Sequence, residues 1–489
     1  MKKIILLTLY LFIIASFCAC QTTPSDNTVT SKADGSFDVS NIKPSESNYN
    51  TPTLIDIQES FESTDKSVIY HFNINSELLS KNAPIIQVSP HTLSTQDAKN
   101  IANVLFPDSD FYEYSPTDQF TKSELQQSIS LWASYLDDKK LRSFFGDNMN
   151  SREIENWKSV IEGFITKYTV LIPTAPENIE KSLCNWTFFP SSHYSNIKAS
   201  STEKDNLQIA ATTEVNNIPY NIMFYTRDEA DYKLNYVHAY IHPKISPGNI
   251  QMYAIYNSLC ASDTPTDEQL SEIKKKTTLL LEEMGLGQWT VDECYYQTRG
   301  QDINNSYIIY VNATPKLSDL DVIRYPQLTN LKSTETYASN YYYTDANFEF
   351  APNGTLLSCK ITSPIDTDQI IEKNCQILDF DKIIEIAKSN LSLYCFDSYT
   401  QQIPNNTNYV FNCSVNISEV KYGLTRVKVP NTKNSYYYIP SVLFQGNYQV
   451  YEKESQTLWF DSYSWFGTPQ NLLVINAVDG SIINVTNGY

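Results

Sequence analysis

The chain has 489 residues, 55 acidic against 36 basic, and a formal net charge of −19. That length predicts two or three domains, and the excess of negative charge argues against nucleic acid or anionic lipid headgroups as partners. Thirteen glycines are few for the phosphate loops and tight turns of nucleotide-binding α/β enzymes, whereas 35 tyrosines with abundant Thr, Ile and Asn favour pleated sheets.

The chain opens Met1-Lys2-Lys3, runs almost unbroken apolar from Ile4 to Phe17, and turns polar at Gln21 after Phe17-Cys18-Ala19-Cys20. A cationic start, a short apolar run and a small residue at the cut site are the parts of a secretory signal, too short to span a membrane. Cysteine directly after that site resembles the lipobox of bacterial lipoproteins, with Phe17 where leucine is usual. The resemblance implies that residues 1–19 are a lipoprotein signal peptide, that Cys20 is lipidated, and that the mature chain is held outside the cytosol on the membrane. No polybasic patch is present to share that task, so acyl chains supply the anchor. No later segment approaches the ~18–20 apolar residues of a spanning helix. Residues 20–51, rich in Ser, Thr, Asn, Asp and Pro, read as a disordered tether.

Folded structure is expected from about residue 52. Val68, Tyr70, Phe72 and Ile74 alternate with polar neighbours, the mark of a half-buried strand. Ser94 and Asp97 then cap a helix with Ala98, Ile101, Ala102 and Leu105 on its apolar face. Thr121 and Glu124 open a second helix that buries Leu125, Ile129, Trp132 and Leu136, and a third presents Ile154, Trp157, Ile161 and Phe164. From about 205 to 242 the pattern turns to strands, with Tyr220, Ile222 and Phe224 on one face and Val237, Ala239 and Ile241 on another. Thr264-Pro265 predicts a helix with proline at its first position, Leu270, Ile273, Leu280 and Met284 inward, and Gly285 as its stop. A strand follows at 307–313.

The last third predicts a hairpin around Asn353-Gly354, between Phe348–Phe350 and Leu356–Thr362, then a short helix on Ile383, Ile384 and Ala387. A second hairpin closes the chain, Leu472–Ala477 and Ser481–Val485 around Asp479-Gly480. That closing hairpin is similar to the terminal hairpin of PepSY-type domains, with helix 380–391 and a strand at 436–443 in matching order. As a whole the chain resembles Gram-positive cell-surface lipoproteins of uncharacterised role. The resemblance implies a peptidase-inhibiting or sensor-kinase-partnering module.

Seven cysteines follow Cys20, with no CxxC and no framework spacing, and read mostly as small apolar fillers. His238 and His242 flank Tyr240 on an expected strand, which places their Cα atoms about 13 Å apart, too far for one zinc ion. Both are expected to face solvent. Ser195-x-x-Lys198 and Ser271-x-x-Lys274 have the spacing of penicillin-recognising enzymes but lack the accompanying Lys-Thr-Gly, and no Gly-x-Ser-x-Gly elbow or calcium loop occurs. No catalytic residue, metal site or cofactor is assigned. Paired carboxylates could meet only in the fold. Of the aromatic clusters at 341–343, 436–438 and 459–466, the last is the best contact surface: Trp459, Phe460, Tyr463 and Trp465 are separated by polar residues.

The expected fold is α+β: antiparallel sheets covered on one face by helices, in two or three similar modules at 52–250, 251–345 and 346–489. The expected function is a membrane-anchored, non-enzymatic binding or regulatory protein of the cell envelope, with an envelope protein or membrane sensor as partner. Capture of a carbohydrate or other solute is the second reading, and a carboxylate-based hydrolase the third.

Overall fold

The computed structural model describes residues 37–483 apart from 46–52, 79–82, 115–119, 146–148, 191–192, 194–205, 229–232, 243–254, 257, 261–263, 299–306, 325–342, 394–410, 430–431, 433 and 463–468. The expected signal peptide, Cys20 and most of the tether therefore lie outside the described residues. In chain order the elements begin with β1 (Thr53–Glu62), β2 (Val68–Leu78), β3 (Ile85–Pro90), α1 (Thr95–Leu105), β4 (Tyr112–Glu113), α2 (Lys122–Ser134), α3 (Asp138–Phe145) and α4 (Ser151–Leu171). They continue with β5 (Phe189–Pro190), β6 (Asn206–Val215), β7 (Ile218–Asp228), β8 (Lys233–Ile241), α5 (Asp267–Met284), β9 (Trp289–Thr298) and β10 (Tyr307–Pro315). The remainder are β11 (Asp345–Phe350), β12 (Leu356–Thr362), β13 (Ile365–Glu372), α6 (Phe380–Leu391), β14 (Phe411–Lys428), β15 (Tyr436–Glu452), β16 (Leu458–Asp461) and β17 (Gln470–Asn476).

The fold is α+β, as composition and patterning predict, but its parts are not the three successive segments. Two units form instead. One gathers residues up to 84, 372–430 and from 439 onward; the other gathers 85–371 and 431–438. Strand pairing between distant segments decides this. Cys413–Ile417 of β14 runs parallel to Val68–Phe72 of β2 in the first unit, and β12 of the Asn353-Gly354 hairpin pairs with β8 in the second. Local periodicity carries no information about such partners.

In the first unit β1, β2, β14 and β15 lie side by side, and β16 and β17 pair with β15. Val68, Tyr70, Phe72 and Ile74 are fully buried on one face of β2, as their alternation requires. Against that face packs α6, burying Ile383, Ile384, Ile386, Ala387 and Leu391 with Phe444 and Ile475. Each large side chain so buried contributes roughly 2 kcal/mol, so docking rather than helix propensity holds a helix of 12 residues. Past β17, the Asp479-Gly480 turn forms with Gly480 at φ 77°, and Ser481 donates through N–H and hydroxyl to Asp479 Oδ1. Of the expected return arm, Ile482 bridges Ile475, and residues 484–485 lie outside the described residues.

The second unit holds a sheet ordered β4-β6-β7-β8-β12-β11-β10-β9, with β5 on β6. Among the described residues its strand pairs are antiparallel, for example β7 with β8 and β10 with β11. Helices α1 and α5 cover one face, where Ile101, Ile273 and Met284 meet Phe224, Val237, Val311 and Phe348. Ser94 and Asp97 close the expected capping box of α1. Helix α5 begins two residues later than Thr264-Pro265 predicts: Thr266 is its N-cap, boxed with Gln269, and Gly285 ends it in the left-handed conformation. A separate helical cluster forms from α2, α3 and α4 around Leu125, Trp132, Leu141, Ile154 and Ile161. Trp157, expected on that buried stripe, stands 37% exposed.

Cys359, Cys375 and Cys413 are buried fillers, as expected, and burial pushes the Cys375 and Cys413 thiols up to about 12 and Cys359 higher still. An alkylating reagent acts on the thiolate, so native protein at pH 8 is expected to leave these three unlabelled. Peptide mass spectrometry should find them labelled only after denaturation; labelling of any one in the folded protein contradicts this packing.

Candidate functional site

The face of the second unit's sheet that α1 and α5 leave uncovered carries the chemistry. Alternation along each strand puts apolar side chains inward and polar or aromatic ones on this outer face. The register lines them up in rows. One runs Asp345–Thr362–Tyr236–Tyr225–Gln208 across β11, β12, β8, β7 and β6. Its neighbour runs Glu293–Asn312–Asn347–Lys360–His238–Met223 across β9 to β7.

Where the rows cross β6, β7, β8 and β12 a cavity of about 310 Å³ opens. Tyr225, Tyr236, Met223 and Leu234 make its apolar walls; Gln208, Thr362 and Lys360 supply its polar atoms. Lys360 Nζ stands 5.6 Å from the centre of the Tyr236 ring, a cation–π contact. Burial pushes the Tyr236 phenol up to about 12, so it stays protonated. Thr362 is 1% exposed, and its Oγ1 has no hydrogen-bond partner among the described residues. It is in register with Asp345 on β11, and its hydroxyl lowers that carboxyl's pKa.

His238 and His242 share this face with Tyr240, as the strand reading requires. His238 stacks on Tyr240 with ring centres 4.4 Å apart, and Tyr240 meets His242 edge-on at 5.8 Å. The expectation of a solvent-facing His238 is corrected, since the ring is half-buried. Burial first, and the Lys360 charge second, push its pKa down to about 4, so it is neutral at physiological pH.

At the β9–β11 end lies an acidic network that no local pattern announces. The register between β9 and β10 slips at Asn312/Ala313, which leaves Asp292 as the extra residue of a bulge. Burial pushes the Asp292 carboxyl up to about 7; the Asp321 and Glu293 charges add to this, while Thr314 and Arg324 oppose it. Arg324 Nη1 donates to Glu293 Oε2 at 3.1 Å and Nη2 to Asn347 Oδ1 at 2.8 Å. Asn347 in turn donates to Asp345 Oδ2 at 3.0 Å. Asp345 is 4% exposed, and burial raises its pKa against that hydrogen bond and the Arg324 charge. With a pKa of about 7 Asp292 can exchange protons near neutrality, but it is not among the residues that line the cavity.

The residues singled out as a contact surface divide. Trp459 is 43% exposed on β16 and meets Phe411 edge-on at 5.3 Å. Phe460 turns half-buried toward Tyr448, with ring centres 5.6 Å apart. Tyr463 and Trp465 lie outside the described residues, as do Ser195 and Lys198. Tyr436–Tyr438 are strand core, and Ser271 and Lys274 are exposed on α5. Among the described residues no three His, Cys, Asp or Glu side chains are grouped to hold a metal ion, and no helix is long and apolar enough to cross a membrane.

No protein-family model matches this chain, and no curated protein does. Among solved structures, the chain is similar to an uncharacterized protein from Eubacterium rectale, with a TM-score of 0.36 and 9% identity, over 86% of this chain and 92% of that one.

Proposed function

We propose that this protein is a lipid-anchored, extracytoplasmic binding protein that captures a small solute without transforming it. The observation that carries the reading is the tyrosine-walled cavity on the outer face of the second unit's sheet. It is concave, mostly apolar and furnished with a few polar groups, the usual build of a ligand site. Lipidation of Cys20, directly after the leader, and the polar segment that follows give such a protein its anchor and its reach. A panel of sugars, amino acids, short peptides and organic acids, tested by thermal shift on the full chain, decides it. At least one class is expected to raise the melting temperature and to lose that effect with Tyr236→Ala; a panel without any such response ends the capture reading.

Anchorage has its own test. Cys20→Ser is expected to move the protein from the membrane fraction to the soluble fraction, and the wild-type N-terminal peptide to carry the mass of attached acyl chains. A wild-type N-terminus with an unmodified thiol removes the anchor. Docking of an envelope protein is the second reading, favoured by exposed Trp459 on β16.

A further inference from the structure

The first unit leaves one long strand edge open. β1 lies at the margin of its sheet and pairs with β2 through all 10 of its residues, from Thr53↔Leu78 to Glu62↔Ile69, without a shift in register. Among the described residues nothing pairs with its other edge, so about half of its backbone N–H and C=O groups point away from the sheet. Other edges are blunted. β9 carries the bulge at Asp292, and β4 and β5 are 2 residues long. β1 has neither bulge nor proline, and an unpaired edge of this length is a template for another strand.

Its side chains say which strand. Alternation puts Ile55, Ile57 and Phe61 on the core face, where Ile57 and Phe61 stay half-buried at the margin and Phe61 stacks on Tyr70 with ring centres 5.0 Å apart. Leu54, Asp56, Gln58, Ser60 and Glu62 take the opposite face, all exposed. The strand holds Asp56, Glu59 and Glu62 and no base. Lys388 of α6 pairs with Glu59. Asp56 and Glu62 stand opposite Asn75 and Ile69 of β2, which carry no charge to answer theirs. A second copy of β1 would bring like charges together along the pairing, in a chain whose net charge is already −19. A basic strand would meet the same acids as cross-strand partners. An edge charged with one sign therefore repels its own kind and selects the other.

Independently of solute capture, we infer that β1 is the docking edge for an extended segment of a partner protein, apolar on the face that continues over Ile57 and Phe61 and bearing Lys or Arg opposite Asp56 and Glu62. Main-chain hydrogen bonds to β1 supply the affinity, and the charges at its two ends supply the choice of partner.

A labelled peptide, Lys-Val-Thr-Val-Thr-Val-Lys, tests this on the full chain in detergent by fluorescence anisotropy. Its controls are the same peptide with Glu at both ends and an N-methylated Lys form that lacks backbone donors. The Lys peptide is expected to bind roughly fivefold more tightly than the Glu peptide, the worth of two exposed cross-strand ion pairs. The N-methylated form is expected not to bind, and amide exchange in β1 to slow as the Lys peptide is added. Asp56→Lys combined with Glu62→Lys is expected to turn the preference over to the Glu peptide, a gain that a misfolded variant could not show. Silence from both peptides at millimolar concentration, equal binding of the two, or undiminished binding of the N-methylated form overturns the assignment. So does exchange in β1 that slows with protein concentration alone, which would give the edge to a second copy.

Discussion

Gly446→Ala is expected to unfold much of the first unit, with a loss of about 4 kcal/mol, at the upper end for a single substitution. Gly446 is buried within β15, and a Cβ there would fall on the carbonyl oxygen of Asn416, with the Asn416 carbonyl carbon at 2.8 Å and the Ile417 Cα at 2.9 Å. These are backbone atoms of the neighbouring strand, not the far end of a side chain that could swing aside. Nor can β14 retreat. Asn416 is in register with His71 of β2 on its other side, and the Asn73 side-chain amide donates to Asn416 Oδ1. Relief requires β15 to part from β14, which opens the core around Phe444, Val415 and Phe72. Hydrogen-exchange mass spectrometry on peptides from β2, β14 and β15 should show their protection collapse together. Gly163→Ala is the control of opposite sign. Gly163 lies in α4 with nothing within 4 Å of an added Cβ, so alanine there is expected to stabilise by about 1 kcal/mol. Unaltered exchange in the Gly446→Ala protein would show that the strands do not approach so closely.

Gly446 also illustrates what a sequence tells and where it stops. The elements themselves were legible, because a strand or helix writes its period into its own residues. Val68 to Ile74 reads as a strand, Ala98 to Leu105 as a helix, and Asn353-Gly354 as a hairpin turn, and each forms where the pattern puts it. Partners were not legible. Nothing in Cys413–Ile417 names Val68–Phe72 as its neighbour, so the sequential modules gave way to two units that each draw on distant segments. The site was half-written. His238, Tyr240 and His242 were visible as one face of a strand, and the structure keeps them on one face. Lys360 was visible only as a polar break between Cys359 and Ile361 in an apolar strand, and its placement beside Tyr236 depends on the β8–β12 pairing. Asp292 left no signal at all, since a bulge is a mismatch between two strands and belongs to neither alone.

That bulge yields the second large effect. Asp292→Asn is expected to stabilise the protein by about 3 kcal/mol at pH 8 and by far less near pH 4. The carboxyl's folded pKa of about 7 lies well above its ordinary value of 3.8, chiefly through burial. Protons are therefore bound more tightly by the folded chain than by the unfolded one. The stabilisation this gives is complete below the unfolded value and fades as pH climbs through 7, where the folded state must hold a charge with one carboxylate oxygen unpartnered among the described residues. Asparagine has nearly the shape of the protonated acid and never ionises, so it escapes that loss. Thr314 and Arg324 limit the penalty without removing it, and the neighbouring Asp321 and Glu293 charges enlarge it. Thermal unfolding of both proteins from pH 4 to 8 should show two curves that start together and diverge through neutrality. A constant gap, or a wild type that gains on the variant as pH rises, would mean that Asp292 is solvated or paired rather than buried. Divergence in the expected direction would mark a carboxyl held at a cost to the fold, and would make proton exchange at Asp292 the next property to measure.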